Sequence, residues 1–553
     1  MKKNLSIIPI GGVEEIGMNM TVFRYDDDII VVDAGLMFPE EDMLGIDYVI
    51  PDFSYLIENS EKIRALILTH GHEDHTGALP FLLKKIDRQI PVYATPLTLG
   101  IIKAKLREHN IEHQLLNAVK PRDIVDAGVF RIEFIRVTHS IVDGVGLGIQ
   151  TPLGNIVHTA DFKLDPTPVD GELMDFHKFT EYGEKGTLLL LSDSTNAEKG
   201  GFTFSEKEVR RAFEDIFVNA KGRIIIATFA SNIHRIQQAI DVATMFNRKV
   251  ILCGKSLVSN AQIALDLGYL KIPSDTWLTL DNLNSLADNE VTIITTGSQG
   301  EPMSVLSRIA IGEHRHIRIK EQDTVILSAK MIPGNERSIG KIINHLFHRG
   351  ANVIYEKVSE VHVSGHASKE ELKLMLNMVR PKYFVPIHGE YRHLIYHSKL
   401  AKKSGIPGEN IFIMEDGDIL RIDEDSASIS GKVSCGRIFV DGKNVGNIED
   451  MVLRDRWKLA QDGIIIILLT VEKLSAKVIS GPYIKTRGFV LDDTSEYITE
   501  TLSRFILESI TSMDADIVKD TSLFKTKIRN TVKKHIKQKF NQRPMIIPII
   551  MEV

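Results

Sequence analysis

The residues best suited to chemistry lie close together near the start of the chain. His70, His72, Asp74 and His75 follow the apolar residues 65–68 in the pattern H-x-H-x-D-H. A buried strand that ends in a polar loop can bring such side chains to one place. Imidazole nitrogens and carboxylate oxygens bind borderline divalent ions such as Zn²⁺ or Mn²⁺, and their crowding on a loop leaves coordination positions open for water. A polar turn that is rich in histidine by chance is the alternative, and the spacing argues strongly against it. The loop alone therefore predicts a metal-dependent hydrolase.

Three more candidate ligands stand where other predicted strands stop. His139, Asp161 and His388 each come after an apolar run, as His70 does. A single histidine after a strand is more often structural than a ligand, but the repeated position at one end of a presumed sheet favours ligands. A second metal close to the first would need a bridging carboxylate, and Asp161 is the natural candidate. Asp33 also ends a strand, where an inward-facing role and a turn or cap are about equally expected.

The order of strands and helices predicts several domains. Strands and helices alternate through residues 1–205, which indicates an α/β domain. Residues 206–360 form a βα series that predicts a doubly wound inserted domain, and the ligand-bearing architecture resumes over 361–445. A charged linker is expected at 446–462. Residues 463–553 predict a compact ββααβ domain, whose apolar closing strand suggests pairing and a role in dimerisation or interaction rather than catalysis.

Two turns of the inserted segment contain serine, Ser231 and Ser298, and both lead into predicted helices. The first turn of a helix offers unpaired N–H groups and a positive dipole end, which together favour an anion. The alternative is that Ser231 or Asn232 only caps its helix. Both roles are compatible, since the amides of a capped turn can still face a phosphate.

Composition restricts the class of protein. The 553 residues are 43% hydrophobic and 25% charged, as in globular proteins. The amino-terminal segment has too few apolar residues for a signal peptide, and the longest apolar run, 464–469, is too short to span a bilayer. Cys253 and Cys435 lie far apart, which argues for a reducing compartment. We therefore expect a cytoplasmic protein without a membrane segment.

The net charge of −6 gives no general support to nucleic-acid binding, so any basic surface must be local. Residues 519–543 hold nine lysines and arginines against one acid, Asp520. An apolar residue recurs at every fourth position from Phe524 to Phe540, which predicts an amphipathic helix with a lysine-rich solvent face. Contact with RNA on that face is the less favoured alternative.

The candidate residues resemble known motifs. Those of the metallo-β-lactamase fold are matched by Asp33, His70, His72, Asp74, His75, His139 and Asp161. Asp193, His366 and His388 resemble the three additional motifs of the β-CASP nucleases. The segments DAGLMFPE, FASNIHR, TGSQGEP, VSGHAS and RPMIIPIIMEV are similar to the ribonuclease J family, and the resemblance covers essentially the whole chain. It implies an αββα sandwich with an inserted β-CASP domain and a small C-terminal domain. Ala160 departs from the family pattern, which has glycine there.

The resemblance also implies an activity. Family members act on single-stranded RNA, in mRNA decay and rRNA maturation, both as 5′-to-3′ exoribonucleases and as endoribonucleases. Two divalent ions per subunit are implied, Zn²⁺ first, with Mn²⁺ or Mg²⁺ as alternatives. By position, one ion would be held by His70, His72 and His139. The other would be held by Asp74, His75 and His388, with Asp161 as the bridge.

Further roles follow from the resemblance. Asp33 and Asp193 would orient ligands, and Asp74 and His366 would be catalytic, with His366 stabilising or protonating the leaving oxygen. RNA, preferably with a 5′-monophosphate, would be held by Ser231, Asn232, Ile233, His362, Val363, Ser364, Gly365 and His366. A homodimer or homotetramer is implied, with or without a paralogous subunit. A non-catalytic subunit of an RNA-degrading complex and a DNA-directed β-CASP nuclease are the alternatives.

Overall fold

The computed structural model forms two compact units. Its described residues are 4–40, 43–112, 114–298, 304–329, 335–356, 358–359, 361–442, 444–446, 450–472, 475, 477–489 and 492–553. One unit comprises Met1–Phe38 and Tyr48–Ile438, and the other comprises Pro39–Asp47 and Phe439–Val553. Part of the TGSQGEP segment, residues 299–302, lies outside the described residues.

The first unit mixes strands and helices throughout. Its strands are β1 (Leu5–Gly11), β2 (Val13–Glu14), β3 (Met20–Tyr25), β4 (Asp28–Val32), β5 (Tyr48–Pro51), β6 (Ile63–Ile67), β7 (Val92–Ala94), β8 (Leu116–Ala118), β9 (Ile124–Ala127), β10 (Phe130–Arg136), β11 (Val145–Thr151), β12 (Gly154–His158), β13 (Thr187–Asp193), β14 (Ile224–Ala227), β15 (Lys249–Cys253), β16 (Trp277–Leu278), β17 (Val291–Thr295), β18 (Thr324–Leu327), β19 (Asn352–Ile354), β20 (Tyr383–Ile387), β21 (Gly389–Glu390), β22 (Asp418–Ile422) and β23 (Ala427–Lys432). Its α-helices are α1 (Ser54–Glu58), α2 (Glu73–Thr76), α3 (Leu79–Lys85), α4 (Pro96–Glu108), α5 (Phe176–Lys185), α6 (Lys207–Asn219), α7 (Ile233–Met245), α8 (Lys255–Asp266), α9 (Val305–Ile311), α10 (Glu336–His348), α11 (Lys369–Val379) and α12 (Tyr391–Lys403). Short 3-10 helices lie at Ser60–Lys62, Leu280–Ser285, Asp288–Glu290 and Gly408–Asn410.

Two sheets of the first unit pack face to face. Their strand orders are β23-β22-β1-β3-β4-β6-β7-β8 and β20-β13-β12-β11-β10-β9. Apolar side chains of both sheets, such as Phe23 and Phe134, are buried in one shared core. Helices α5, α11 and α12 cover the other face of the second sheet, and α3 and α4 bury their own apolar residues after strands of the first. The predicted αββα sandwich is confirmed.

The inserted segment forms a separate parallel sheet in the order β16-β15-β17-β14-β18-β19. Alternate residues of β14 point to opposite faces, as the pleat of a strand requires. Ile224 and Ile226 pack with α6, α7 and α8, whereas Ile225 and Ala227 pack with α9 and α10. Helices therefore cover both faces, and the predicted doubly wound fold is confirmed.

The second unit holds the carboxyl-terminal elements. The remaining elements of the chain are β24 (Arg437–Asp441), β25 (Asn444–Gly446), α13 (Asp450–Asp462), β26 (Ile464–Glu472), β27 (Lys477–Arg487), α14 (Asp492–Thr511), α15 (Ala515–Lys519), α16 (Thr521–Phe540) and β28 (Met545–Glu552). The sheet order is β27-β26-β28, so the closing strand is present as predicted, and it pairs in parallel with β26. Ile465 and Ile467 of β26 pack against Phe524 and Ile528 of α16. The ββααβ prediction holds, with the short α15 added between the long helices.

Two expectations for this part of the chain have different outcomes. The charged stretch that was expected to be a linker forms the helix α13, because a run of good helix formers after Asp450 can propagate hydrogen bonds. The amphipathic helix is confirmed as α16, whose apolar stripe is buried and whose lysines face outward. The predicted domain bounds at 205, 360, 445 and 462 stay predictions.

Within the described ranges, no helix combines the length and the apolar character needed to cross a bilayer. Cys253 is a buried free thiol, and Cys435 is a partly buried free thiol.

Candidate metal centre

The predicted ligands meet at one edge of the sandwich because the strands before them run in the same direction. In the first sheet, β4 and β6 are parallel neighbours, and they end beside Asp33 and His70. In the second sheet, β12, β13 and β20 are parallel neighbours, and they end at or beside Asp161, Asp193 and His388. The carboxyl ends of both sets thus form one cluster of polar side chains.

The first group of potential ligands consists of His70, His72, His139 and Asp161. His72 Nδ1 lies 3.0 Å from His70 Nε2 and 3.2 Å from His139 Nε2. Asp161 Oδ2 lies 3.7 Å from the Nε2 atoms of both His70 and His139. One ligand atom of each residue therefore points to a common centre.

The second group consists of Asp74, His75, Asp161 and His388. Asp161 Oδ2 lies 3.3 Å from His75 Nε2 and 3.4 Å from His388 Nε2. Asp74 Oδ2 lies 3.7 Å from the same two nitrogens. Because Asp161 belongs to both groups, its carboxylate stands between two adjacent centres. Asp74 sits in the short helix α2, so the predicted loop contains one helical turn.

The two groups differ in electrostatics. Burial, followed by the nearby ring of His139, lowers the pKa of His72 to about 3, and burial lowers the pKa of His139 to about 4. Burial opposes the charged form of His388 as well, but Asp161 raises its pKa to about 9. His75 behaves similarly, because Asp161, Asp74 and Asp33 together outweigh burial and raise its pKa. The second group thus creates a negative field that favours a cation.

The donor chemistry of the first group fits a metal ion. His139 Nδ1 donates to the carbonyl of Gly365 at 2.7 Å, so its Nε2 carries a lone pair. The hydroxyl of Thr69 donates to Asp33 at 2.9 Å and accepts from His70 Nδ1 at 3.0 Å, so His70 Nε2 also carries a lone pair. Lone pairs that converge in this way need a positive partner. These residues could hold one divalent ion.

The second group also fits a metal ion. His75 Nδ1 donates to Asp33 Oδ2 at 2.7 Å, which turns Nε2 toward Asp161 and Asp74. A divalent cation would displace protons from His75 and His388 and offset the charge of both carboxylates. The residues present therefore suit two ions that share Asp161.

Asp33 holds both ligand-bearing parts of the first loop. Its carboxylate accepts from the backbone N–H of Thr69 at 2.8 Å, from the Thr69 hydroxyl and from His75. The inward orientation, one of the two alternatives for Asp33, is the one observed. The backbone at Asp33, Ala160 and His388 has a positive φ of 63°, 52° and 53°. Such strain at three residues of one site is typical of functional sites.

Asp193 and His366 form a pair beside the two groups. His366 Nδ1 lies 2.8 Å from Asp193 Oδ2 and 3.9 Å from Asp161 Oδ2. Asp193 also accepts from the N–H and the hydroxyl of Thr195. Burial opposes ionisation of Asp193, but His366 lowers its pKa. The His366 side chain is 20% exposed, so one side of the ring is open to an incoming substrate.

The predicted substrate-binding residues fall into two short segments. Asn232 caps α7, since its side chain accepts from the N–H of Arg235 at 2.9 Å, which confirms the capping alternative. Ile233 and Val363 are buried and pack in the same apolar core. The hydroxyl of Ser364 accepts from Asn196 at 2.8 Å.

The other serine-containing turn is followed by a helix, as predicted. Ser298 is buried, and α9 begins at Val305 with Ser304 as its cap, whereas residues 299–303 lie outside the described residues.

Three residues of the site were missed from sequence. Asn19 donates to the carbonyl of Asp74 at 3.1 Å and lies 3.1 Å from His75 Nε2. Asn196 donates to Ser364 and to the carbonyl of His366 at 2.9 Å. Thr69 supports Asp33. The position of Thr69 directly before His70 was a usable signal, whereas no local pattern distinguishes the two asparagines.

Four parts of the chain match known protein families. Residues 15–195 match the metallo-beta-lactamase superfamily, and residues 221–346 match the beta-CASP domain of ribonuclease J. Residues 350–414 match the Zn-dependent metallo-hydrolase RNA specificity domain, and residues 451–553 match the ribonuclease J C-terminal domain.

Similar proteins match from end to end. Ribonuclease J of Helicobacter pylori is 41% identical over 99% of this chain and 79% of its own length. Ribonuclease J of Thermus thermophilus is 43% identical over 99% of this chain and 95% of its own length, and ribonuclease J2 of Bacillus subtilis is 42% identical over 100% and 99%. A solved structure of a protein of unknown function from Enterococcus faecalis shares the fold, with a TM-score of 0.54 at 15% identity over 76% of this chain and 100% of that chain. With its paired ligand groups and these full-length relatives, the chain belongs to the ribonuclease J family of metal-dependent ribonucleases.

Proposed function

We propose that this ribonuclease hydrolyses single-stranded RNA with two divalent ions, both as a 5′-to-3′ exonuclease and as an endonuclease, in mRNA decay and rRNA maturation. The observation that carries the proposal is the pair of ligand groups that share Asp161, with the Asp193–His366 pair directly beside them. Zn²⁺ suits these nitrogen and carboxylate ligands best, and Mn²⁺ or Mg²⁺ are alternatives.

Each residue of the site has a distinct role in this proposal. His70, His72 and His139 hold one ion, and Asp74, His75 and His388 hold the other, with Asp161 between them. When bound, two divalent ions would lower the pKa of a water nucleophile and offset charge on the phosphoryl oxygens.

Proton movements are assigned to the exposed side of the site. Asp74, whose side chain is 31% exposed, is placed to orient the attacking water. Asp193 fixes the ring of His366 through Nδ1, so Nε2 can donate a proton to the leaving oxygen. Asp33 keeps His75 in the tautomer that presents Nε2.

A pocket for the 5′-phosphate is proposed between the two predicted substrate-binding segments. The turn of Ser231, Asn232 and Ile233 begins α7 and so carries the positive dipole end of that helix, although the N–H groups of Asn232 and Ile233 donate to backbone carbonyls within the turn. Residues 362–366 supply two imidazoles and a hydroxyl. An anion pocket at a fixed distance from the metals accounts for removal of nucleotides one at a time from a 5′-monophosphate end.

The metal assignment is tested by the double change of Asp74 and His75 to alanine. We expect RNA cleavage to be abolished and bound metal to fall, because one group loses two of its ligands. Asp87→Ala, which removes an exposed carboxylate after α3, is the matched control. Unchanged RNA turnover by the purified, folded double variant would refute the two-metal mechanism and favour a non-catalytic role in an RNA-degrading complex.

The pocket is tested by Ser231→Pro, which disturbs the turn before α7. We expect the preference for 5′-monophosphate over 5′-triphosphate RNA to weaken. If variant and parent prefer 5′-monophosphate RNA to the same extent, Ser231 has no role in binding the 5′-phosphate. The same assay with single-stranded DNA distinguishes a DNA-directed nuclease, which would cleave DNA at least as well as RNA.

Location and assembly complete the proposal. We expect a cytoplasmic enzyme that forms a homodimer or homotetramer, with or without a paralogous subunit. The free thiols of Cys253 and Cys435 support a reducing compartment. Sedimentation of the purified chain measures the size of the oligomer.

A further inference from the structure

Four charged side chains are buried together where the parallel-sheet segment joins the sandwich. Lys163, Asp165, Glu206 and Arg235 have exposed fractions of 1%, 1%, 2% and 0%. They come from the loop after Asp161, from the start of α6 and from α7. The two positive and two negative charges balance, as burial requires. The group lies between the metal ligands and residues 362–366.

Arg235 lies at the centre of this group. Its Nη2 donates to Glu206 Oε2 at 2.7 Å. Its Nη1 donates to the hydroxyl of Ser328 at 2.5 Å and to the carbonyl of Val361 at 3.0 Å. The Ser328 hydroxyl donates to the same carbonyl at 2.6 Å. Val361 directly precedes residues 362–366, so the guanidinium fixes the start of that segment.

The other end of the network reaches the metal ligands. Glu206 Oε1 lies 3.7 Å from Lys163 Nζ, and the N–H of Glu206 donates to Asp165 at 3.1 Å. The carbonyl of Lys163 accepts from the hydroxyl of Thr138 at 2.6 Å. Thr138 is next to His139, and Lys163 is two residues from Asp161. The network therefore connects two ligand-bearing segments with residues 362–366.

Arg235 also belongs to the turn that contains Ser231. Its N–H is the group that Asn232 caps at 2.9 Å. The first turn of α7 thus carries half of the proposed phosphate pocket and, through the side chain of Arg235, holds the other half. Burial opposes ionisation of Glu206, but Arg235 and Lys163 lower its pKa to about 2, which keeps the partner of Arg235 charged.

We propose that Arg235 is a positioning residue for RNA cleavage, which through Glu206 and Lys163 sets the distance between the phosphate-binding segments and the metal ligands. The proposal rests on the proposed function, since it concerns the same phosphate pocket. A displacement of about 1 Å can cost on the order of 100-fold in rate, so a rigid connection of this kind matters for catalysis. Arg235 does not contact substrate in this scheme; it acts through Val361 and the first turn of α7.

The chain offers a matched control for a purely structural role. Arg223 is also buried in the parallel-sheet segment, where Nε and Nη2 donate to Asp323 at 3.0 Å and 2.5 Å. Its further bond is to the carbonyl of Arg318. Loss of either guanidinium leaves a buried carboxylate without its partner, so both changes should lower thermal stability.

The experiment compares Arg235→Met, Arg235→Lys and Arg223→Met in the full chain. For each variant, metal content, melting temperature, kcat and KM are measured with 5′-monophosphate and 5′-hydroxyl RNA of one sequence. We expect Arg235→Met to keep its metal, to raise KM for 5′-monophosphate RNA at least tenfold and to lose most of the preference for that end. Arg235→Lys should recover part of the preference, because it keeps a charge beside Glu206. Arg223→Met should melt earlier with an unchanged preference.

Equal effects of Arg235→Met and Arg223→Met on KM and on the end preference would overturn the proposal. If Arg235→Met does not fold, Arg235→Lys and Glu206→Gln are compared with Arg223→Met instead. A preference for 5′-monophosphate RNA equal to that of the parent in both variants would also overturn the proposal. Failure of the proposed function gives a different result, because the parent protein itself would then show no preference for a 5′-monophosphate. In that case, Arg235→Met and the parent are compared on a circular RNA, which has no 5′ end. We then expect the same tenfold increase in KM for internal cleavage by the variant.

Discussion

Replacement of Gly365 by alanine tests how closely residues 362–366 support the metal ligands. A Cβ atom at Gly365 would lie 2.6 Å from Cε1 and 2.7 Å from Nδ1 of His139, and 3.0 Å from Cβ of Ser140. The ring of His139 cannot move away easily, because it is buried and donates to the carbonyl of Gly365 itself. The substitution therefore acts directly on a proposed metal ligand.

The expected size of the effect follows from these distances. Ordinary contacts begin at 3.4 Å, so the new methyl group and the ring would stand roughly 1 Å too close. A shift of that size in a catalytic group costs on the order of 100-fold in rate, and disturbance of a ligand's hydrogen bond costs about 10- to 100-fold in metal affinity. We expect Gly365→Ala to lower kcat/KM by about 100-fold and to bind metal more weakly.

The assay combines elemental analysis, RNA cleavage over a range of added Zn²⁺, and thermal melting. Gly200→Ala is the matched control, because a Cβ atom there meets nothing within 4 Å. A folded Gly365→Ala protein with the metal content and kcat/KM of the parent would refute the reasoning. If the variant has a much lower melting temperature but regains full activity with added Zn²⁺, the substitution weakens only the affinity for metal.

Three further predictions follow from other parts of the structure. Ala160→Gly should stabilise the protein by roughly 0.5–1 kcal/mol, measured by thermal melting, because Ala160 has a φ of 52° that glycine adopts without strain. Glu206 has a lowered pKa of about 2, so its ionised form contributes stability above the unfolded value near 4.5 that is lost as the pH falls toward 2. Glu206→Gln should therefore lose less stability than the parent between pH 6 and 3, by about 2 kcal/mol in unfolding experiments. Neutralising Lys527, Lys533 and Lys537 to glutamine should leave RNA affinity within about twofold, and a reduced salt dependence of binding would instead assign that face of α16 to RNA.

Much of the fold and of the site was predictable from sequence because the signals are local. An apolar run of β6 followed at once by His70, His72, Asp74 and His75 specifies both a strand and the ligands that it delivers. The alternation of strands and helices between 206 and 360 specified a doubly wound segment, since each βα unit carries its own periodicity. The stripe from Phe524 onward specified α16 in the same way. The stretch predicted as a linker, 446–462, includes the helix α13, because charge along a stretch does not by itself prevent a helix from forming; its role as a linker stays a prediction.

Only the tertiary structure decided which distant groups support one another. The hydrogen bonds of His139 with Gly365 and of His366 with Asp193 join residues that are 226 and 173 positions apart. Arg235 and Val361 are 126 positions apart. Such contacts depend on how separate sheets and loops pack, and periodicity along a chain carries no information about that packing. The sequence by itself therefore determined the ligand types and the strands that present them, whereas the packing of the two sheets and their loops determined how those ligands are held.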